Sequence, residues 1–278
     1  MRSVSARPWR PPSSPSSGSE YLPAIDGLRA LAVIAVVAYH LGLPWARGGF
    51  LGVDLFFVLS GFLITGLLLR EREQTGRIDL GHFYARRARR LLPALFLVLA
   101  AVSTWVAATG TTPDLTSVRS DALAALAYVA NWRLVLSHSG YFAQFSAPSP
   151  LRHAWSLAIE EQYYLVWPIL LLGLMRLGRG SRRATVLATL VLAVLSASAM
   201  AVMYHPGADP SRIYYGTDTR AFELLVGALL ALLTTARPAS GAVRRAVPRA
   251  VALVGPLALA TLVVACLTVH DDAGWMYH

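Results

Sequence analysis

Among its 278 residues the chain has no lysine and a single cysteine, Cys266. One cysteine excludes an intrachain disulfide and leaves a cysteine-built metal centre without ligands. Charge is scarce. Asp, Glu and Arg make up 14% of the chain, against about a quarter in a soluble domain. There is no P-loop, no dinucleotide fingerprint, no His-x-x-x-His zinc pattern and no nucleic-acid motif. No internal repeat stands out. The closing stretch HDDAGWMYH is too short and isolated to argue a metal site.

What the chain has in quantity is apolar length. It is 55% hydrophobic, with a mean hydropathy of +0.51. Several runs of about twenty apolar residues point to an all-α, polytopic transmembrane bundle with no soluble globular domain. Candidate spans fall at 24–43, 50–69, 91–109, 155–175, 184–204, 219–236 and 250–269. A weaker run at 121–137 contains Asn131, Trp132 and Arg133, so the count is seven to eight.

The net charge of +10 is carried by arginine alone and is read first as topology. The connections 70–90, 176–183 and 237–249 are Arg-rich, whereas 44–49, 110–120 and 205–218 are not. Seven spans from a cytoplasmic N-terminus put every Arg-rich loop inside, as expected in a plasma membrane. That arrangement holds only if 121–137 is re-entrant or buried in protein. The alternative is a true span that breaks the charge rule locally. Residues 1–20, rich in Pro, Ser and Arg, read as a disordered cytoplasmic tail. They lack the apolar region of a signal peptide.

Five constellations interrupt the apolar runs. In DGLRALAVIAVVAYH, Arg29 and His40 lie eleven residues apart on one helix face, about 16 Å along the axis, with Asp26 beside Arg29. Ionisable groups at membrane depth are costly and mark function by default. An imidazole moves protons near neutral pH, and a guanidinium stays charged. Asp54, in GGFLGVDLFFVLSG, lies beside Gly48, Gly49 and Gly52; it serves either a structural ion pair or catalysis. Arg86, Arg87, Arg89 and Arg90 repel one another on a helix unless an anion sits among them; a positive-inside anchor is the simpler alternative. The block HAWSLAIEEQYYLVWP packs His153, Trp155, Ser156, Glu160, Glu161 and Gln162 at a span entrance. Its aromatics suit an interfacial belt better than its glutamates do. Ser156 is not in a nucleophile-elbow pattern. Arg220 and Glu223, spaced i, i+3, suit an interfacial pair, with Gly227 offering close helix contact.

Taken together and in order, these blocks resemble the acyltransferase 3 family of integral membrane O-acyltransferases, from about Leu22 to the end. The Arg, ten residues, His pattern is Arg29 and His40; the basic Arg-x-x-Arg loop is FYARRARRLLP; the Trp-Ser-Leu block is HAWSLAIEEQYYLVWP; the later Thr-Arg block is TRAFELLVGALLA. The resemblance implies transfer of an acyl group, acetyl by default, from acyl-CoA on the cytoplasmic side to a hydroxyl of a sugar, cell-envelope glycan or secreted metabolite. It implies no permanently bound cofactor, no metal and no nucleic-acid partner. His40 and Arg29 become the catalytic pair, His40 as general base or as carrier of the acyl group and Arg29 orienting the donor or stabilising the developing oxyanion, with Asp26 setting Arg29 and Glu160 ordering the acceptor side. Arg86, Arg87, Arg89 and Arg90 become the dock for the donor's phosphates. Asp54, His153, Trp155, Ser156, Arg220 and Glu223 become structural or substrate-positioning residues. The family core commonly has about ten membrane segments, so the membrane domain at 21–278 is expected to be incomplete at its C-terminus. The rival readings are a carrier or lipid-handling protein without chemistry, and an inactive fragment.

Overall fold

A computed structural model describes residues 23–110, 112–137, 149–206 and 208–234, with the single positions 264, 267 and 268. The expected tail at 1–20, the loop at 237–249 and nearly all of the run at 250–269 lie outside the described residues. Those residues contain helices and no strand. In order they are α1 (Pro23–His40), α2 (Gly52–Thr75), α3 (Leu80–Thr109), α4 (Thr112–Leu126), α5 (Ala130–Leu136), α6 (Ala154–Leu177), α7 (Arg182–Met203), α8 (Ser211–Tyr215) and α9 (Thr217–Thr234).

Four helical stretches are long and apolar enough to cross a bilayer: Gly49–Thr75, Leu80–Thr109, Ala154–Leu177 and Arg182–Met203. That is fewer than the seven to eight segments expected. One reason is that the run at 121–137 is not one helix. It breaks between α4 and α5, where Tyr128 takes a left-handed backbone (φ 54°). The two pieces are about 22 and 10 Å long, short of a core about 30 Å thick. Another is that α9, of eighteen residues, carries Asp218, Arg220 and Glu223. The remaining helices expose apolar side chains as membrane helices do, among them Leu97, Leu165 and Leu187.

The centre of the bundle is the crossing of α2 with α9. The two run parallel: Asp54 meets Arg220, Val58 meets Gly227 and Gly61 meets Leu224. A Cβ on Gly61 would overlap the Leu224 carbonyl, and one on Gly227 would overlap the Val58 carbonyl. Backbones can approach this closely only where side chains are absent. In both helices the ionic residue lies seven positions before the glycine, about two turns. The glycine crossing therefore fixes the depth at which Asp54 and Arg220 face each other. Phe57, Leu68, Ile159, Trp167, Leu171, Leu224 and Leu232 fill the core around it, each at most 1% exposed.

Gly227→Leu forces the crossing apart and should cost about 1–3 kcal/mol as an overpacked core does. The thermal midpoint of detergent-purified protein should fall well below wild type. An unchanged midpoint would mean that the crossing does not hold the bundle.

Candidate functional site

Four separate sequence blocks converge at one end of the bundle. α1 ends on His40, α2 begins five residues before Phe57, α6 begins one residue after His153, and α8 leads through Gly216 into α9. The His40 and His153 rings meet edge to face, 4.6 Å between centroids. His40 Nδ1 lies 2.8 Å from the Val36 carbonyl oxygen. A carbonyl only accepts, so Nδ1 carries a proton, and in the neutral ring Nε2 keeps its lone pair. His153 precedes the membrane helix. Burial, then the neighbouring His40 and Arg152, hold its pKa below the ordinary 6.5.

Two residues beyond His153, Trp155 joins an aromatic cluster. Trp155 packs edge-on to Phe57 (6.1 Å) and against Tyr214 (4.9 Å) and Tyr215 (5.4 Å). Arg220 sits among these rings, 5.1 Å from the Tyr214 centroid and 5.7 Å from that of Phe57. Its guanidinium donates through Nη2 to Asp54 Oδ1 and pairs through Nη1 with Glu223 Oε1 at 3.0 Å. The Arg220 and Glu223 side chains are each 5% exposed. One cation thus faces two carboxylates in a nearly dry setting. Asp54, left open between two roles by sequence, is an ion-pair partner here.

A second polar group lies about two turns along α6. Ser60 donates to Glu160 Oε1 (2.9 Å) and the Tyr164 hydroxyl to Oε2 (3.4 Å). The Arg87 guanidinium stacks 3.5 Å above the Tyr164 ring and donates to Glu161 Oε1 at 3.1 Å. Beside it, a cavity of about 430 Å³ between α3, the α4–α5 break and α6 is lined in part by Tyr84, Arg87, Tyr128, Glu161, Gln162 and Tyr164. Asn131, fully buried, donates to Thr217 Oγ1 (2.9 Å) and the Tyr215 carbonyl (3.0 Å). Gln162 donates to Asn131 Oδ1 (2.9 Å) and the Tyr128 carbonyl (2.6 Å), and accepts from Thr217 (2.6 Å). This network ties the α4–α5 break to the start of α9, so the broken backbone is satisfied inside protein.

The structure thus brings together His40, His153, Trp155, Asp54, Arg220 and Glu223. Arg29 is not with them: α1 runs unbroken, and a half-buried Arg29 stands about 16 Å from His40 along the axis. Among the described residues Asp26 and Arg29 form no ion pair, and Asp26 is exposed. The four loop arginines lie in the first turns of α3, toward the opposite end. Arg86 reaches Glu71 (3.8 Å) and Arg87 reaches Glu161, while Arg89 and Arg90 are exposed. Ser156 donates only to the His153 carbonyl, at 3.4 Å. Sequence reasoning did not single out Ser60, Tyr214 or Tyr215; lone hydroxyls in apolar or loop sequence carry no spacing signal.

Fold and site together define a helical membrane protein with an ion-paired, histidine-bearing site at one end. The chain belongs to the acyltransferase 3 family, whose model, an acyltransferase domain, matches residues 22–278. Over 215 residues, 77% of this chain, it is 49% identical to the peptidoglycan O-acetyltransferase OatA of Listeria monocytogenes, covering 34% of that protein. It is 50% identical over 214 residues to the Bacillus subtilis protein named putative peptidoglycan O-acetyltransferase YrhL, covering 33% of it. A putative O-acetyltransferase of Staphylococcus aureus strain COL is 40% identical over 257 residues, covering 92% of this chain and 42% of the relative. The chain therefore spans about a third to two fifths of the length of these relatives. No solved structure matches it.

Arg220→Met strands the buried Glu223 and the half-buried Asp54 and should cost about 3–5 kcal/mol. Adding Asp54→Asn and Glu223→Gln removes the stranded charge and should recover most of it, read as thermal midpoints. Failure of the triple variant to exceed the single one would refute the ion-pair account.

The unfolded chain takes up a proton at His153 more readily than the folded one. The stability owed to this group is therefore complete above about pH 6.5 and is lost as pH falls below that value. His153→Gln should flatten the decline of the thermal midpoint between pH 7.5 and 5.5. An unaltered slope would show that His153 does not titrate this way.

Proposed function

We propose that the chain is the membrane part of an O-acyltransferase of the plasma membrane, acting on hydroxyls of cell-envelope glycan with an acyl-CoA, by default acetyl-CoA, as donor. The observation that carries this reading is the convergence of His40 with His153, Trp155 and the Asp54–Arg220–Glu223 cluster from four sequence blocks. Family membership and the names of the relatives support it.

In this reading the acceptor hydroxyl gives its proton to His40 Nε2, the ring atom left free by the Val36 carbonyl. The hydroxyl oxygen bonds to the thioester carbonyl carbon. The carbon–sulfur bond then breaks, and the proton passes from His40 to the departing thiolate. Arg29, about three turns away, is too far to touch the same carbonyl. Of the two roles open to it, it takes orientation of the donor, with Asp26. Arg89 and Arg90, exposed and free of the carboxylates that engage Arg86 and Arg87, make first contact with the donor's phosphates. From Glu161 to His153 is about 12 Å along α6, a distance that an extended thioester-bearing arm can cross beside Glu160. The N-terminus and the Arg-rich end face the cytoplasm, and His40 faces the envelope.

His40→Ala should lower thiol release from acetyl-CoA, in the presence of a glycan acceptor, by about 10²–10⁴-fold at normal expression and thermal midpoint. Near wild-type turnover would overturn the assignment. A carrier would release no free thiol even with His40 intact.

A further inference from the structure

The end of the bundle away from His40 holds a cavity that the acyl-transfer reading does not use. It measures about 300 Å³ and lies where α2, α6, α7 and α9 meet. Arg72, Glu73, Met175, Gly180, Arg182 and Thr185 are among its walls. Arg72 is eighteen residues beyond Asp54 on α2, about 27 Å along the axis. Met175 is twenty-two residues beyond His153, about 33 Å. With a hydrocarbon core about 30 Å thick, the cavity falls at headgroup depth on the opposite membrane surface.

Its two guanidinium groups are poorly matched by protein. Among the described residues neither Arg72 nor Arg182 forms an ion pair closer than 4.0 Å. The Arg72 side chain donates through Nη1 to the Met175 thioether, a weak acceptor for a charged donor. Arg182 Nη2 is buried and has no hydrogen-bond partner. Buried donors are nearly always satisfied, so an unmet one at a cavity wall indicates a missing acceptor. Glu73 is the one acidic residue on the wall; it is exposed and attracts Arg182 without forming an ion pair within 4.0 Å. It leaves the lining one positive charge in excess. Arg182 also opens α7, whose cap Ser181 accepts from Ala184 N at 3.3 Å. The N–H groups of Arg182 and Arg183 have no intrahelical acceptor and add to the positive end of the helix dipole. A group with several anionic oxygens meets these donors together, and phosphate does so with the geometry that a guanidinium fork prefers.

We propose that this cavity binds a phosphate ester, carried by an anionic phospholipid headgroup or by a phosphorylated soluble molecule. The full chain is placed in phosphatidylcholine nanodiscs and challenged with two probes, phosphatidylglycerol in the disc and adenosine 3′,5′-bisphosphate in solution. Binding is read by native mass spectrometry and by the shift in thermal midpoint. At least one probe should bind, and the Arg72→Gln/Arg182→Gln variant should bind it at least tenfold more weakly. A charge-matched control, Arg70→Gln/Arg77→Gln, alters arginines that do not line the cavity and should bind as wild type does. Retention of phosphatidylglycerol alone identifies a lipid headgroup; binding of the bisphosphate in neutral discs identifies a soluble ligand. Binding of neither probe overturns the proposal, as does an equal loss in the control, which would mean diffuse attraction. Should the double variant fail to fold, Arg182→Gln alone is read: a several-fold loss supports the site and no change overturns it.

Discussion

The structure depends on one constraint: a buried guanidinium must stay within reach of its carboxylates. Arg220 is 4% exposed, and taking such a charge out of water costs several kcal/mol unless it is matched. Asp54 supplies the match from α2 and Glu223 from one turn along α9. The match requires two helix backbones to lie almost in contact, and Gly61 and Gly227 allow that. Packing and electrostatics are thus a single design. The glycines set the depth of the crossing, the crossing sets the register, and the register puts the charge among its partners. Trp155, Tyr214 and Tyr215 pack against one another, with Arg220 beside the Tyr214 ring, and Trp155 lies two residues beyond His153.

The same logic divides the bundle into a wet end, a polar middle and a basic end. At the first, His40 and His153 lie at helix ends, where an imidazole can meet solvent. In the middle, Glu160 is held by Ser60 and Tyr164, while Arg87 is held by Glu161 and the Tyr164 ring. The broken helix pair α4–α5 persists because Gln162 donates to the Tyr128 carbonyl at the break, while Asn131 ties α5 to the Tyr215 carbonyl just before α9. At the basic end, Arg89, Arg90, Arg72 and Arg182 are not matched by carboxylates among the described residues, unlike Arg86 and Arg87. A reaction that draws an anionic donor from one surface and an acceptor from the other would use this polarity directly.

The helices were legible because apolar length and the spacing of arginines in loops are local properties of the chain. The site residues were legible as types. Arg29, His40, Glu160 and Arg220 are conspicuous in apolar runs because a charge there needs a reason. Their partners were not legible. Asp54 and Arg220 are 166 positions apart, and nothing in either block names the other. Ser60 and Asn131 look ordinary in sequence and become specific only through Glu160 and Thr217.

By itself, then, the sequence determined an arginine-balanced bundle of apolar helices and the short list of ionisable groups inside it. Hydrophobic burial and charge placement act over a single turn or span, and they can be read in order along the chain. Tertiary structure alone decided the pairing. It set His40 against His153, gave Arg87 to Glu161, and broke the run at 121–137. Those outcomes depend on which helices can approach closely, and two glycines far apart in the chain control that approach only once both helices exist.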